Sequence, residues 1–244
     1  MCRMSEFTHL LKKRMDERGF FVDGHQLAQF DVYRQELRDW NTRINLTSLT
    51  DDLDIIDKHF IDSLLLVRYE PLGRGIRVAD VGAGAGFPGL PIKIYRPDIR
   101  LSLLESVGKK TRFLKHVIAK LELENVDVID DRAEVAARSP EHRERHDLVI
   151  ARCVASLPVL AEYCLPLVSV GGKFVAYKGH KAEAEVRDAE VALEKLGGQF
   201  ERLEWDRSIC DSDRRILVFV KKVRKTPGKY PRRPGVPQKR PLLG

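Results

Sequence analysis

The stretch 78-VADVGAGAGFPGLPIKIY-95 decides how the rest of the chain is read. It starts as a short apolar strand, reaches Asp80 at the strand's end, and then places Gly82, Gly84 and Gly86 at alternate positions ahead of two prolines and a helical run. Glycine at such spacing lets the backbone turn sharply and lets something approach it closely. Two frames overlap here. One is GxGxxG (Gly84, Gly86, Gly89), the turn that cradles a dinucleotide pyrophosphate, although a lone match to it is weak. The other is Asp-x-Gly-x-Gly-x-Gly, with an acid just before the turn. A tight turn that only packs helix on strand is the third reading.

Around this turn the pattern is α/β. Downstream, the strand-like runs IRVADV, RLSLLE, VDVI, HDLVIAR and KFVAYKG alternate with helical segments, the sequence form of βαβ units and a largely parallel sheet. The last two runs, QFERLEW and RRILVFVKK, have only a polar loop between them, so they pair antiparallel. Upstream, Leu27, Phe30, Leu37, Trp40 and Ile44 recur at helical spacing and predict a helix from about Gly24 to Arg43. A second helix is predicted from about Leu53 to Tyr69, with Ile56, Phe60, Leu64 and Val67 inward. No internal repeat is visible. The closing segment KTPGKYPRRPGVPQKRPLLG is too rich in proline and glycine for a regular helix or central strand, and predicts an extended tail draped on the sheet's edge or mobile. The expected division is a helical cap over residues 1–72, an α/β core over 73–222 and a basic tail over 223–244.

Composition narrows the function classes. A chain of 244 residues with 43% hydrophobic content buries a sizeable core. The opening residues lack an apolar signal region and no apolar run approaches membrane-span length, so a soluble cytoplasmic protein with no membrane partner is expected. Cys2, Cys153, Cys164 and Cys210 show no CxxC spacing, which predicts reduced, structural thiols and no metal site. The net charge of +7 is unevenly placed: from Arg214 onward there are 11 Lys and Arg and no acid, whereas residues 1–213 sum to −4. That asymmetry points to a polyanionic partner, nucleic acid being the commonest, against a merely solubilising tail.

The charge of the turn then chooses between its frames. Asp80 so close to the bend repels a pyrophosphate but suits a ligand carrying an ammonium and a sulfonium, which favours S-adenosyl-L-methionine. Glu105 closes the next strand, where a carboxylate accepts from ribose hydroxyls in either cofactor class. Ala133, Glu134 and Arg152 follow the third and fourth strands and therefore project toward the same crevice. Arg152 ends an apolar strand, so its guanidinium needs an acid, a base edge or a phosphate. Lys109, Lys110 and Arg112 crowd the first turn of a helix against its macrodipole; an RNA phosphate offsets that, as does ordinary solvent screening.

With DVGAGAGFPGLP, GKKTRFL, ARCVASL, YKG and YPRRPGVPQKRPL in order, and WNTRINLT and HFIDSL ahead of them, the chain resembles the small-subunit (16S) rRNA guanine-N7 methyltransferase family RsmG, also called GidB, over nearly its whole length. The resemblance implies a Rossmann-like S-adenosylmethionine-dependent methyltransferase: a seven-stranded sheet with its last strand antiparallel, under an N-terminal helical cap. It places Gly82, Phe87, Glu105, Ser106, Val107, Ala133, Glu134 and Arg152 at the cofactor, and the charge and spacing of the turn add Asp80 and Gly84. The implied partner is 16S rRNA or the small ribosomal subunit, met by a monomer. Arg152 and Lys178, and by the same resemblance Asn45 and His59, are candidates at the reacting base, although a capping or interior polar role also fits the last two. Lys109, Lys110, Arg112, Arg214, Lys221, Lys222, Lys229, Arg232 and Arg233 are candidates for RNA phosphates. Guanine N7 carries a lone pair and no proton, so methylating it requires alignment rather than a general base. The absence of an Asn-Pro-Pro-aromatic motif and of a Pro-Cys pair argues against exocyclic-amine and pyrimidine-C5 chemistry. A methyltransferase for small molecules or proteins, and a non-enzymatic assembly factor, are the competing readings.

Overall fold

The protein is described by a computed structural model covering residues 5–152, 154–206 and 215–243. Three helical segments lead the chain: α1 (Glu6–Asp16), α2 (Gly24–Asn41), and a run in which α3 (Asp52–Asp54) passes through π-helical turns at Ile55–Ile61 into α4 (Asp62–Tyr69). Asp23 and Gln26 start α2 with a reciprocal capping box. The predicted second helix thus exists, but its middle is wound wider than an α-helix, a feature that tends to occur at functional sites. Among the described residues no helix is long and apolar enough to cross a membrane.

The sheet contains β1 (Arg77–Val81), β2 (Arg100–Glu105), β3 (Val126–Asp130), β4 (His146–Arg152), β5 (Val168–Lys178), β6 (Gly198–Asp206) and β7 (Arg215–Lys222). Its helices are α5 (Gly89–Tyr95), α6 (Gly108–Lys120), α7 (Ala133–Ala136), α8 (Leu157–Cys164) and α9 (Ala182–Leu196), with one more helical turn, α10 (Val236–Lys239), in the tail. The strand order is β3-β2-β1-β4-β5-β7-β6, and β7 alone runs against its neighbours. The crossover through α9 sets β6 one strand away from β5, and β7 fills the gap by pairing with both.

This order fixes the site. The chain winds outward from β1 through β2 to β3, then returns to the opposite side of β1 for β4, so the crossovers diverge above the carboxyl ends of β1 and β4 and leave a crevice there. The glycine turn follows β1 and Arg152 ends β4. Each face of the sheet has its own core. On one face the cap residues Leu11, Met15, Phe30, Tyr33, Leu37 and Phe60 pack continuously with Val78, Leu101, Ile150 and Phe219. On the other, α8 and α9 pack on Ala79, Val149 and Val218, and Tyr230 of the tail joins them.

The tail therefore departs from the mobile alternative: it is docked against α7 and α8. Lys222 is a correction to the sequence reading. It is fully buried, donates to the Leu165 carbonyl at 2.6 Å and to Thr226, and lies 3.3 Å from Glu144. Burial pulls its ammonium down to about 8, and it has no path to an RNA phosphate.

Candidate active site

The glycine turn is held open by its own backbone. Gly82, Gly84 and Gly86 all have positive φ, at 73°, 60° and 97°. A side chain at Gly86 would strike Leu90 at 2.4 Å and the Tyr33 hydroxyl at 2.7 Å, so here the close approach is made by the protein itself. Tyr33, fully buried on α2, donates to the Ala85 carbonyl at 2.5 Å and ties the cap to the turn. Gly84 is different: a Cβ there would meet only the Gly82 carbonyl, at 3.9 Å, and its amide donates to Glu105 Oε2 at 2.9 Å.

Two cavities meet at Gly82. The smaller, about 150 Å³, is lined by Glu105 and Ser106 after β2, by Asp131 to Glu134 after β3, and by Val154 and Tyr163. Glu105 Oε1 also accepts from the Val107 amide at 2.8 Å, so both carboxylate oxygens are fixed by backbone donors and present their remaining lone pairs in a set direction. The larger, about 830 Å³, is roofed by the cap: Leu46, Thr47, Leu49, Lys58, His59 and Asp62 face Ala83 to Ala85, Phe87, Lys110, Arg152, Gly179, His180 and Arg215.

The larger cavity is organised by an almost inaccessible carboxylate. Asp62, 1% exposed, accepts from Arg152 Nη1 at 2.6 Å through one oxygen and from Arg215 Nε at 2.5 Å through the other. A buried carboxylate bridging two guanidiniums is well compensated, and it holds both in place. Arg152 Nη1 also donates to the Lys58 carbonyl at 3.1 Å, and the guanidinium carbon lies 5.3 Å from the centre of the Phe87 ring. His59 stacks on the same ring, centroids 4.4 Å apart and planes 14° from parallel, while Tyr33 stacks on it at 5.3 Å. His59 Nε2 bonds the Thr47 hydroxyl at 2.8 Å. Burial, and then the positive charge of Arg152, push the His59 pKa down to about 4, so at neutral pH it is an uncharged imidazole and a feeble base.

The family described as rRNA small subunit methyltransferase G (GidB) matches residues 26–210. The chain belongs to this family. It is 46% identical to the ribosomal RNA small subunit methyltransferase G of Pelotomaculum thermopropionicum over 98% of this chain and 100% of that one. It is 48% identical to the protein of the same name from Roseiflexus castenholzii, covering 92% of this chain and 95% of the relative. By fold it is similar to a SAM-dependent methyltransferase from Aquifex aeolicus, with TM-score 0.54, 18% identity and coverage of 71% of this chain and 94% of the other. A mutant of MtNAS in complex with S-adenosylmethionine gives TM-score 0.55 at 15% identity, over 89% of this chain and 78% of the other. The fold is that of Rossmann-like S-adenosylmethionine-dependent methyltransferases.

In this chain, Gly82, Gly84, Phe87, His59 and Arg152 border the large cavity, and Glu105, Ser106, Ala133 and Glu134 border the small one. Val107 stands at the N-cap position of α6 beside them, and its amide donates to Glu105 Oε1. Three expectations need correction. Asp80 does not face the crevice: it is fully buried, its Oδ2 accepts from the Gly89 amide at 2.8 Å, and Oδ1 is buried with no partner. Desolvation raises its pKa to about 7, so it acts on the turn from beneath and carries only part of a charge at neutral pH. Asn45 is exposed and is not among the lining residues; the neighbouring loop is held instead by Asn41, which accepts from the Leu46 and Thr47 amides at 2.8 and 3.0 Å. Lys178 is committed to Glu185 at 2.7 Å and the Ala155 carbonyl at 2.6 Å, whereas the next two residues, Gly179 and His180, reach the cavity.

Of the basic candidates, Lys109 and Arg112 are exposed and Lys110 lines the large cavity. Lys229 and Arg233 are exposed on the tail, Lys221 donates to the Gly171 carbonyl, and Arg232 is held by Glu162. Arg214, Cys2, Cys153 and Cys210 lie outside the described residues. Among the described residues no group of acids, His and Cys is arranged to hold a metal ion. Sequence reasoning missed Thr47, Arg215 and His180. His180 was reachable from the rule that ligands gather past strand carboxyl ends. Thr47 and Arg215 carried no such signal.

Proposed function

We propose that this chain transfers a methyl group from S-adenosylmethionine to N7 of a guanine in the 16S rRNA of the small ribosomal subunit, by in-line displacement without a general base, acting as a monomer in the cytoplasm. One observation carries the reading: the glycine turn and the fixed Glu105 carboxylate open directly into a large cavity rich in hydrogen-bond donors, whose one buried imidazole is held far below the pKa of a working base.

The residues present fit the cofactor. Glu105, with Ser106, Ala133 and Glu134 around it, forms the ribose and adenine side, and the Gly82 and Gly84 backbone with Phe87 forms the side toward the large cavity. Bound S-adenosylmethionine supplies an electrophilic methyl carbon, and the guanine N7 lone pair is the nucleophile. The cap residues and Arg152 orient the base: Arg152, fixed by Asp62, donates toward guanine O6 and leaves N7 open. Phe87, stacked against both Tyr33 and His59, gives a rigid apolar wall that excludes water from the reacting centre. Positioning of this kind supplies about 7 to 11 kcal/mol of a barrier. N7 lies on an edge partly hidden in a duplex, so the target guanine sits in a loop or leaves its stack. Lys109, Lys110 and Arg112 beside the opening, with Lys221, Lys229, Arg233 and Arg214, meet RNA phosphates.

The test is chemical. Small subunits incubated with the protein and isotopically labelled S-adenosylmethionine should yield N7-methylguanine at one position of 16S rRNA by nucleoside mass spectrometry. Label on another base, or on the exocyclic amine of guanine, overturns the proposal. Arg152→Lys, which loses the planar fork but retains a charge, should lower kcat on the subunit at least 100-fold with cofactor affinity little changed.

A further inference from the structure

The basic tail splits into two populations. Lys229, Arg233, Lys239 and Arg240 are exposed, but the backbone between them is riveted to the two helices that border the small cavity. Arg232 grips Glu162 on α8 through four hydrogen bonds: its amide at 2.7 Å and Nε at 2.9 Å to one oxygen, and Nε at 3.1 Å and Nη2 at 2.6 Å to the other. Glu162 is 1% exposed, so this bidentate pair is what makes its burial tolerable. The next residue on α8, Tyr163, lines the small cavity. Three residues beyond Arg232, the Gly235 amide donates to Glu134 Oε1 at 3.0 Å, and Glu134 lines the same cavity. On the far side of α7, Arg138 donates to the Lys229 and Pro231 carbonyls, and Arg143 to the Tyr230 and Thr226 carbonyls at 2.9 Å.

The supports of the two cavity walls are unequal. Glu105 hangs from β2, a strand paired on both sides, and needs nothing from the tail. The opposite wall includes α7, four residues long and too short to persist by its own hydrogen bonds. Its position is therefore set by what it packs on: Ala136 and Ala137 against the sheet on one side, and the tail on the other.

We propose that residues 226–240 are a strap that positions Glu134 and Tyr163 for S-adenosylmethionine, with Arg232 and the Gly235 amide as its fasteners, so that these two groups serve cofactor affinity while the RNA contact falls to the exposed Lys229 and Arg233. Arg232 and Gly235 are positioning residues: they act through Glu162 and Glu134. The proposal rests on the reading of the small cavity as the adenosine side of the cofactor site.

Steady-state kinetics on small subunits, with S-adenosylmethionine and subunit varied independently, tests it in the full chain and in three variants. These are Arg232→Ala, a chain ended after Arg233 that keeps the Arg232–Glu162 pair but loses the Gly235 amide, and Glu105→Ala as the control for the cavity itself. Thermal unfolding by circular dichroism checks each fold, and Arg232→Lys, which retains a cation for Glu162, replaces Arg232→Ala if that variant does not fold. The expected result is a KM for S-adenosylmethionine raised about 10-fold by Arg232→Ala and about 5-fold by the shortened chain, with kcat and the KM for subunits within 2-fold of the parent. Arg232→Lys should recover part of that loss. A purely structural tail lowers kcat with the fraction folded and leaves the cofactor KM alone, which overturns the strap; so does a rise in the subunit KM alone. If Glu105→Ala raises the cofactor KM and the tail variants do not, the strap fails and the cavity reading stands. If none of the variants moves it, the cavity reading fails and takes the strap with it.

Discussion

The helical cap and the C-terminal tail both wrap the sheet, the cap bordering the candidate site and the tail bracing α7 and α8 behind it, but they are fastened in different proportions: apart from the Asp62 bridge to Arg152 and Arg215, apolar contact dominates in the cap and polar contact in the tail. The cap is held by rings and aliphatic side chains: Phe30, Tyr33 and Phe87 surround Phe60 at centroid distances of 4.8, 5.5 and 6.2 Å, and the contact continues into the sheet. The tail brings one buried ring, Tyr230, and is otherwise fastened by guanidinium, carboxylate and backbone groups. Apolar attachment is non-directional and scales with area, whereas charged attachment is directional and depends on desolvation being repaid by geometry. The two attachments should therefore break under different perturbations.

The largest effect belongs to the cap. Phe60→Ala empties the centre of the aromatic cluster and should cost about 4 kcal/mol of unfolding free energy by urea titration. A loss below about 1 kcal/mol means the cap is not fastened by that cluster. Next comes pH. His59 has its folded pKa depressed to about 4 from 6.5, so its contribution is fully present above about pH 6.5 and is lost as pH falls through 4. The difference amounts to about 3 kcal/mol at most. The unfolding free energies from urea titrations at pH 7 and pH 4 should differ by less in His59→Gln than in the parent, and equal differences contradict the burial of a neutral imidazole.

For the tail, Glu162→Gln keeps the shape of α8 but leaves Arg232 without its counter-charge. Because Arg232 is about one-quarter exposed, the expected loss is about 2 kcal/mol, smaller than for a wholly buried pair. Limited proteolysis should cut first in the tail of this variant and first in the cap of Phe60→Ala; the same first cut in both erases the contrast. The smallest stability effect falls on the exposed charges. Alanine at Lys109 or Arg112 should shift stability by no more than about 0.5 kcal/mol, while each lost phosphate contact lowers the slope of log affinity for rRNA against log salt by about one. Filter binding across a salt series reads this directly, and an unchanged slope removes these residues from the RNA surface.

The difference between cap and tail also explains what the sequence disclosed. Apolar spacing predicted α2 to within two residues of its observed end, and the runs ending at Val81, Glu105 and Arg152 match the observed strand ends. The glycine turn and Glu105 were legible for the same reason, because a strand end and a turn are written in consecutive residues. The fate of individual charges was not. Nothing near Lys178 in sequence announces Glu185 as its acceptor, nothing near Arg232 announces Glu162, and the Asp62 bridge joins Arg152 and Arg215 from two distant strands. Asp80 shows the same limit within a local motif, since its place beneath the turn follows from how α5 starts at Gly89.

The amino-acid order alone determined the alternation of strands and helices, the site of the sharp bend after β1, and the excess of positive charge at the end of the chain. Those properties depend on torsional preference and apolar spacing within a few neighbouring residues. The tertiary structure decided which cations stay available to a polyanion and which are consumed inside, that β7 enters between β5 and β6, and that a proline-rich tail packs behind the two helices of a cavity wall. The physical reason is that a buried ionic group must find compensation wherever folding brings a partner, and that partner is chosen by topology rather than by proximity along the chain.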